Sequence, residues 1–172
     1  MAGVNSPFRR TIKPLLKRIV GDSAYAWFHY RAKLRDIRHR LVEEDEMEIL
    51  PWFLGEDQVA IDVGANFAYY TVRLAELCPR GKVHAFEPIP STFRTLRRIV
   101  RHYGFKNVQL YEMGVGEETA RAKFELPLQE IGTPSAGQAH MGGRDNSLPG
   151  HELYHDFSAS REFDCSVVAL DD

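Results

Sequence analysis

Three short stretches hold the residue types that could bind a small molecule. Asp62 lies near the end of the apolar run Val59 to Val63, and Gly64, Ala65 and Asn66 follow it. Glu87 and Pro88 follow a second run, Val83 to Phe86, and Glu112 to Gly116 follow a third, Val108 to Tyr111. A glycine lets a ligand approach the backbone where a side chain would obstruct it. A helix beginning after Asn66 would offer free N–H groups and a positive dipole end, which suit a carboxylate. Asp62 can accept hydrogen bonds from its own loop or from a ligand ammonium group. A carboxylate such as Glu87 at a strand end can take both hydroxyls of a ribose. Together these groups read as a nucleoside site with an anionic or amino-acid end.

Two cofactor classes compete for such a site. A dinucleotide usually brings a G-x-G-x-x-G turn, whose glycines admit the pyrophosphate. Here Gly64-Ala65-Asn66-Phe67-Ala68-Tyr69 contains one glycine. S-adenosylmethionine carries a ribose and an amino-acid end but no phosphate, so the glycine trio is not demanded. An NAD-dependent oxidoreductase is the alternative.

The positioning elements follow from periodicity. Val59 to Val63 is nearly continuous in apolar character, as expected of a strand covered on both faces. Phe67, Tyr70, Leu74 and Leu77 fall on one helical face, and Pro79-Arg80-Gly81 ends that helix. Val83 to Glu87 is the next strand. Ser91 can cap a helix that buries Phe93, Leu96, Val100 and Tyr103, exposes Arg94, Arg97, Arg98 and Arg101, and stops at Gly104. Val108 to Tyr111 is the third strand. Alternating strands and helices imply right-handed crossovers in a parallel sheet, with ligands beyond the strands' carboxyl ends. His84 lies within a strand and reads as a packed residue.

The strings Val-Ala-Ile-Asp-Val-Gly-Ala-Asn (59–66), Tyr-Tyr-Thr (69–71) and His-Ala-Phe-Glu-Pro (84–88) resemble the FkbM family of S-adenosylmethionine-dependent methyltransferases. Asn107-Val108 leading to Gly114-Val115-Gly116 looks like that family's third strand and loop. Val167 to Asp172 looks like its hydrophobic strand ending in Leu-Asp. The resemblance implies a Rossmann-like class I methyltransferase sheet, mostly parallel. It implies Asp62, Gly64, Ala65 and Asn66 at the methionine end of the cofactor, with Tyr70 near the same loop. Glu87 would hold the ribose, Pro88 would shape the turn toward the adenine, and Met113 and Gly114 would border the adenine edge. It implies O-methylation of a hydroxyl on a sugar or natural product, with a small-molecule or glycan acceptor. Ala68 departs from the glycine usual there, which would tighten the first helix turn against the cofactor. The family continues past the Leu-Asp end, whereas this chain stops at Asp172. The expectation is therefore a methyltransferase domain incomplete at its C-terminus, with the cofactor-binding remnant as an alternative. Without a further strand, Val59 to Val63 becomes an apolar edge that invites self-association.

The remaining chain bounds this picture. Of 172 residues, 44% are apolar and 27% charged, a globular composition with room for one ordinary domain. The expected division is a helical segment over 1–50 and a partial methyltransferase domain over 51–172, with a long loop over 126–160 between strands near 121–126 and 162–169. Residues 1–40 hold ten Lys/Arg against Asp22 and Asp36, a net charge of +8; the remainder hold twelve against twenty-two Asp/Glu, a net charge of −10. Phe8, Ile12, Leu15, Leu16, Ile19 and Val20 recur at helical spacing, interrupted by Pro14. That reads as a helix packed on the domain with its basic side in water; weak contact with an anionic membrane surface is the second reading. A second helical stretch, 24–50, should break at Pro51. No apolar run approaches the ~20 residues that span a bilayer. The arginine row lacks aromatic interleaving and the body is acidic, so a nucleic-acid partner is not expected. Two cysteines, Cys78 and Cys165, fit a reducing compartment, and the expected location is cytoplasmic. His151-Glu152-Leu153-Tyr154-His155 matches H-E-x-x-H, but it follows Pro149-Gly150, lacks a helical pattern, and is followed at once by Asp156. No metal is expected there. His140, His151 and His155 read as solvated loop residues.

Overall fold

A computed structural model describes residues 7–42, 45–128, 140–141 and 159–171. The chain forms two compact units: Met1–Phe28 with Ala122–Asp164, and His29–Arg121 with Cys165–Asp172.

The second unit is α/β. Strands β1 (Val59–Val63), β2 (Lys82–Phe86) and β3 (Val108–Tyr111) form a parallel sheet in the order β1-β2-β3. Val59 pairs with Lys82 through to Val63 with Phe86, and Val83 with Val108 through to Phe86 with Tyr111. Helices α3 (Tyr69–Leu77) and α4 (Pro90–Tyr103) make the two crossovers of a Rossmann-like half. Ala60, Leu74, Ala75 and Val83 form one core cluster; Ala65, Ala68, Val72, Ala85, Phe93, Leu96, Ile99 and Val100 form another. Leu96 and Ile99 are completely buried, each contributing about 1.5–3 kcal/mol of apolar transfer.

Several elements differ from their sequence expectation. Strand β1 is covered on one face only: Ala60 and Asp62 are buried, while Val59, Ile61 and Val63 are 62%, 51% and 56% exposed. Both core clusters lie on the side of Ala60, Val83 and Ala85, so the alternate residues of β1 stay open. Helix α3 starts at Tyr69, not Phe67, because Asn66 (φ 47°) and Ala68 (φ 69°) hold left-handed conformations that stop helix propagation. Its buried residues are consequently Thr71, Val72, Leu74 and Ala75, with Tyr70 and Leu77 half-buried. Helix α4 begins at Pro90, whose fixed φ is pre-set for a first helical position; Ile89 precedes it and Ser91 makes no cap. Its buried and arginine-bearing faces are those expected, and Gly104 ends it at φ 71°. Asn107 Nδ2 closes the C-terminus of α3, donating to the carbonyls of Ala75 (3.0 Å) and Cys78 (2.9 Å).

The stretch expected as one helix over 24–50 is divided. Helix α1 (Pro7–Arg38) kinks at Gly21 (φ 77°), and α2 (Asp45–Phe53) carries Pro51 inside its last turn. A proline so near the end removes one helical donor without breaking the turn before it, and the Leu54 amide still reaches the Leu50 carbonyl at 3.1 Å. Strand β4 (Gly114–Val115) runs parallel to Val167 and Val168 at the end of β7 (Ala159–Val168).

In the first unit, β5 (Ala120–Leu128) pairs antiparallel with β6 (His140–Met141), Phe124 opposite Met141 and Glu125 opposite His140. Phe124 and Phe163 bring their rings to 5.9 Å. The expected loop over 126–160 thus begins and ends in strand and contains β6. The H-E-x-x-H motif lies outside the described residues. Among the described residues, no group of His, Cys, Asp and Glu is arranged to hold a metal, and no helix is long and apolar enough to cross a membrane.

Candidate functional site

The three strand ends converge because the parallel ladder continues into the loops. The Gly64 and Ala65 amides both donate to the Phe86 carbonyl, each at 2.9 Å, and the Glu87 amide donates to the Tyr111 carbonyl at 3.0 Å. Gly64 takes φ 77°, a conformation costly to any residue with a side chain, and a Cβ there would meet nothing within 4 Å. Its glycine therefore serves the turn's backbone.

Glu87 is 4% exposed and clamps two loops. Its Oε2 accepts the Asn66 amide at 2.9 Å, and its Oε1 accepts the Ile89 amide at 2.9 Å. Burial pushes its carboxyl above the usual range; the two amides pull it down, and Asp62 nearby pushes it up. Asp62 is also buried, and its Oδ2 accepts the Thr71 hydroxyl at 2.5 Å. Burial raises its pKa as well, against the lowering effect of Thr71. Of these two buried carboxylates, Glu87 is bonded to the turn that carries Asn66 and Asp62 to Thr71 of α3.

Asn66 Oδ1 is buried and has no hydrogen-bond partner among the described residues. A buried carbonyl oxygen without a donor costs about 1–3 kcal/mol, so this atom is where a donor from a bound molecule would be gained. An ammonium or a hydroxyl satisfies it, and a phosphate without a proton does not. These acceptors suit a ligand that presents hydroxyl or ammonium donors.

The other expected site residues sit as follows. Ala65 is buried in the core beneath the turn. Tyr70, in the first turn of α3, packs against the Ala60–Leu74–Val83 cluster. Pro88 is half-buried between Glu87 and Ile89, Met113 is half-buried after β3, and Gly114 is buried at the start of β4. Ala68 is fully buried among Val72, Phe93 and Leu96, so its methyl belongs to the core and its cost is backbone strain.

Two neighbours escape the sequence reading. Thr71 orients Asp62 from nine residues on, and helical spacing gives no sign of it. Cys165 is buried next to the third strand end: burial, Glu87 and Glu112 raise its thiol pKa, while a bond from the Gly114 backbone lowers it. Its Sγ lies 2.9 Å from the Ser166 carbonyl. Both cysteines are free. His84, half-buried, pairs its Nδ1 with the Tyr111 hydroxyl at 2.9 Å, as a packed residue would.

Two cavities lie elsewhere. One of about 300 Å³ is lined by Asp36, Arg38, Tyr69, Arg73, Glu76 and Tyr103 among others. The Tyr69 hydroxyl accepts from Lys33 Nζ at 3.3 Å, and burial with Asp36 pushes its pKa up to about 12. The other, about 490 Å³, is bounded by Pro79, Gly81, Gly104 and Asn107 at the opposite ends of the strands.

No protein-family model matches the chain, so the FkbM resemblance gains no support from that comparison. The chain is 32% identical over 65 residues to Methyltransferase 1 of Beauveria bassiana (strain ARSEF 2860); the match covers 38% of this chain and 26% of that protein. The chain thus matches about a quarter of the length of this curated relative. Among solved structures, precorrin-6y C5,15-methyltransferase of Geobacter metallireducens GS-15 aligns at TM-score 0.38 and 27% identity, over 42% of this chain and 40% of that one. A SAM-dependent methyltransferase from Aquifex aeolicus aligns at 0.36 and 23%, over 50% and 48%. An rRNA methylase from Streptococcus thermophilus aligns at 0.37 and 19%, over 42% and 41%.

Proposed function

We propose that the chain is an S-adenosylmethionine-dependent methyltransferase domain of FkbM type, acting on a hydroxyl of a sugar or natural product. The observation that carries the cofactor assignment is the junction of Asn66 and Glu87. One carboxylate fastens the lone-glycine turn to the end of β2 and leaves Asn66 Oδ1 buried and free to accept. The match to a methyltransferase over 65 residues points the same way. The acceptor assignment rests on the sequence resemblance.

In this reading Asp62, Gly64, Ala65 and Asn66 hold the amino-acid end, with Tyr70 behind the loop. The second lone pairs of the Glu87 oxygens accept the ribose hydroxyls, Pro88 directs the turn toward the base, and Met113 and Gly114 border it. The cofactor, when bound, supplies an electrophilic methyl on a sulfonium. The residues of this chain bind and orient it, and proximity of the acceptor oxygen provides much of the rate.

Calorimetric titration with S-adenosylmethionine and S-adenosylhomocysteine tests the cofactor assignment. Binding at one site per chain, weakened at least about tenfold by Glu87→Gln, is the expected result. No binding of either, with NAD bound instead, refutes it. A methyl-transfer assay on hydroxylated acceptors then separates a working enzyme from a domain that only binds.

A further inference from the structure

We propose that the outer face of α4 docks electrostatically on an anionic phospholipid surface. The inference is independent of the proposed function. Arg94, Arg97, Arg98 and Arg101 stand at i, i+3, i+4 and i+7, so they form one stripe about 10 Å long on the helix. All four are exposed, while Phe93, Leu96, Ile99 and Val100 of the same helix are buried against the core. Among the described residues none of the four forms an ion pair. Arg73 and Arg80, by contrast, meet Glu76 at 3.8 Å and Glu56 respectively. The chain has no acidic residue between Glu87 and Glu112, so α4 and both its flanks carry positive charge alone.

The stripe works against the helix that carries it. Arg94 neighbours Arg97 and Arg98 across one turn, and Arg101 neighbours the same two from the other side. Each like-charge pair at this spacing weakens the helix, and an anionic surface laid along the stripe removes the repulsion. Nor is this a face that a further layer of the same domain would cover, because burying four unpaired guanidinium groups is costly. The other exposed residues of α4 are Pro90, Ser91 and His102. The face thus has no Phe, Tyr or Trp on which a nucleic-acid base could stack, and no apolar group to enter a bilayer. A straight row of charges on a convex helix suits a plane of headgroup phosphates, which all four guanidinium groups can reach together. Residues 1–40, with a net charge of +8 and apolar residues at helical spacing, give the chain a second element of the kind that lies on anionic lipid. The α4 contact is one of charge alone, with each arginine contributing about fivefold to partitioning.

Co-sedimentation of the full chain with vesicles tests the proposal. Vesicles of phosphatidylcholine alone should leave the chain in the supernatant, and vesicles with roughly a third phosphatidylserine should carry it down at low salt. Raising the salt to about 0.5 M should release it. The double variant Arg94→Gln, Arg98→Gln keeps the residues of the N-terminal segment and should partition about thirtyfold less, from two arginines at about fivefold each. Its helical circular dichroism signal should match the wild type's. The variant Arg94→Lys, Arg98→Lys keeps the charge and should partition within about twofold of the wild type. Equal binding of the glutamine variant overturns the proposal, because the N-terminal segment would then account for all of it. Equal binding to both kinds of vesicle also overturns it, as does a wild type that binds single-stranded or duplex RNA at concentrations where it leaves the anionic vesicles free.

Discussion

Glu87 offers the sharpest test of how the site is held. In Glu87→Ala the amides of Asn66 and Ile89 lose the acceptors that now lie at 2.9 Å. Each stranded donor costs about 1–3 kcal/mol, and the one lost methylene costs about 0.8 kcal/mol. Against this, the variant no longer buries a carboxylate whose raised pKa records an unfavourable charge. The expected net loss is about 2–4 kcal/mol. Glu87→Gln keeps one acceptor oxygen and turns an NH₂ toward the other amide, so it should lose about half as much. In urea, with a slope of about 1–3 kcal/mol per molar, the alanine variant should unfold at least about 0.7 M earlier than the wild type. Hydrogen exchange localises the effect: the Asn66 and Ile89 amides should lose protection first in both variants. The pH dependence has a definite sign. A carboxyl raised in the folded state binds its proton more tightly there than in the unfolded chain. The resulting stabilisation is complete below the usual value of 4.5 and is lost as pH rises through the folded value. The wild type should therefore lose ground against Glu87→Gln from acid toward neutral pH. If Glu87→Ala unfolds at the wild-type urea concentration with the two amides still protected, the clamp does not hold the turn.

Asp62→Asn should show the same sign. The wild type should gain on the variant below the usual Asp value of 3.8 and lose that advantage as pH rises through the folded value; a flat or rising difference in urea midpoint against pH would contradict the burial argument. Gly81→Ala should cost about 3 kcal/mol or more, because its Cβ would lie 1.8 Å from the Gln58 carbonyl oxygen and the start of the β1–β2 ladder must move; a urea midpoint near that of the wild type would show that the loop yields freely. Ala68→Gly should leave stability within about 1 kcal/mol of the wild type. Relief of left-handed strain, about 1–2 kcal/mol, is offset by a buried methyl of about 0.8 kcal/mol and by added chain entropy of about 0.4–1 kcal/mol. A midpoint shift well beyond that range would mean that one of these contributions dominates.

What could be read from the sequence, and what could not, divides by the range of the interactions. The strands at Val59–Val63 and Val108–Tyr111, the second at Lys82–Phe86, and the Gly104 stop are set by neighbours within a few positions. They stand within a residue of where periodicity puts them. Parallel order then brings the three carboxyl ends to one edge, because a short crossover leaves few other arrangements. The juxtaposition of Asn66 and Glu87 was thus legible from spacing, although their direct bond was not. The errors arise where a distant partner or an absent one decides. A continuous apolar run reads as a strand covered twice, yet only packing decides whether Val59, Ile61 and Val63 find a second layer. Helical phase put Phe67 on the buried face of α3, but the left-handed Asn66 and Ala68 shift its start and so rotate that face. Ala68 is instructive because the expected glycine has a backbone reason, φ 69°, visible only once the turn is folded. Cys165, far along the chain, reaches Gly114 through the pairing of β4 with β7, a contact between residues about fifty positions apart for which no local pattern exists. Local spacing therefore points to the candidate groups at the strand ends, whereas their neighbours, Thr71 bonded to Asp62 and Cys165 beside the third strand end, are supplied by tertiary structure. The consequence for function is that a variant of Asp62 or Glu87 changes both the site and the turn that forms it, so binding and stability must be measured together before either residue's role is assigned.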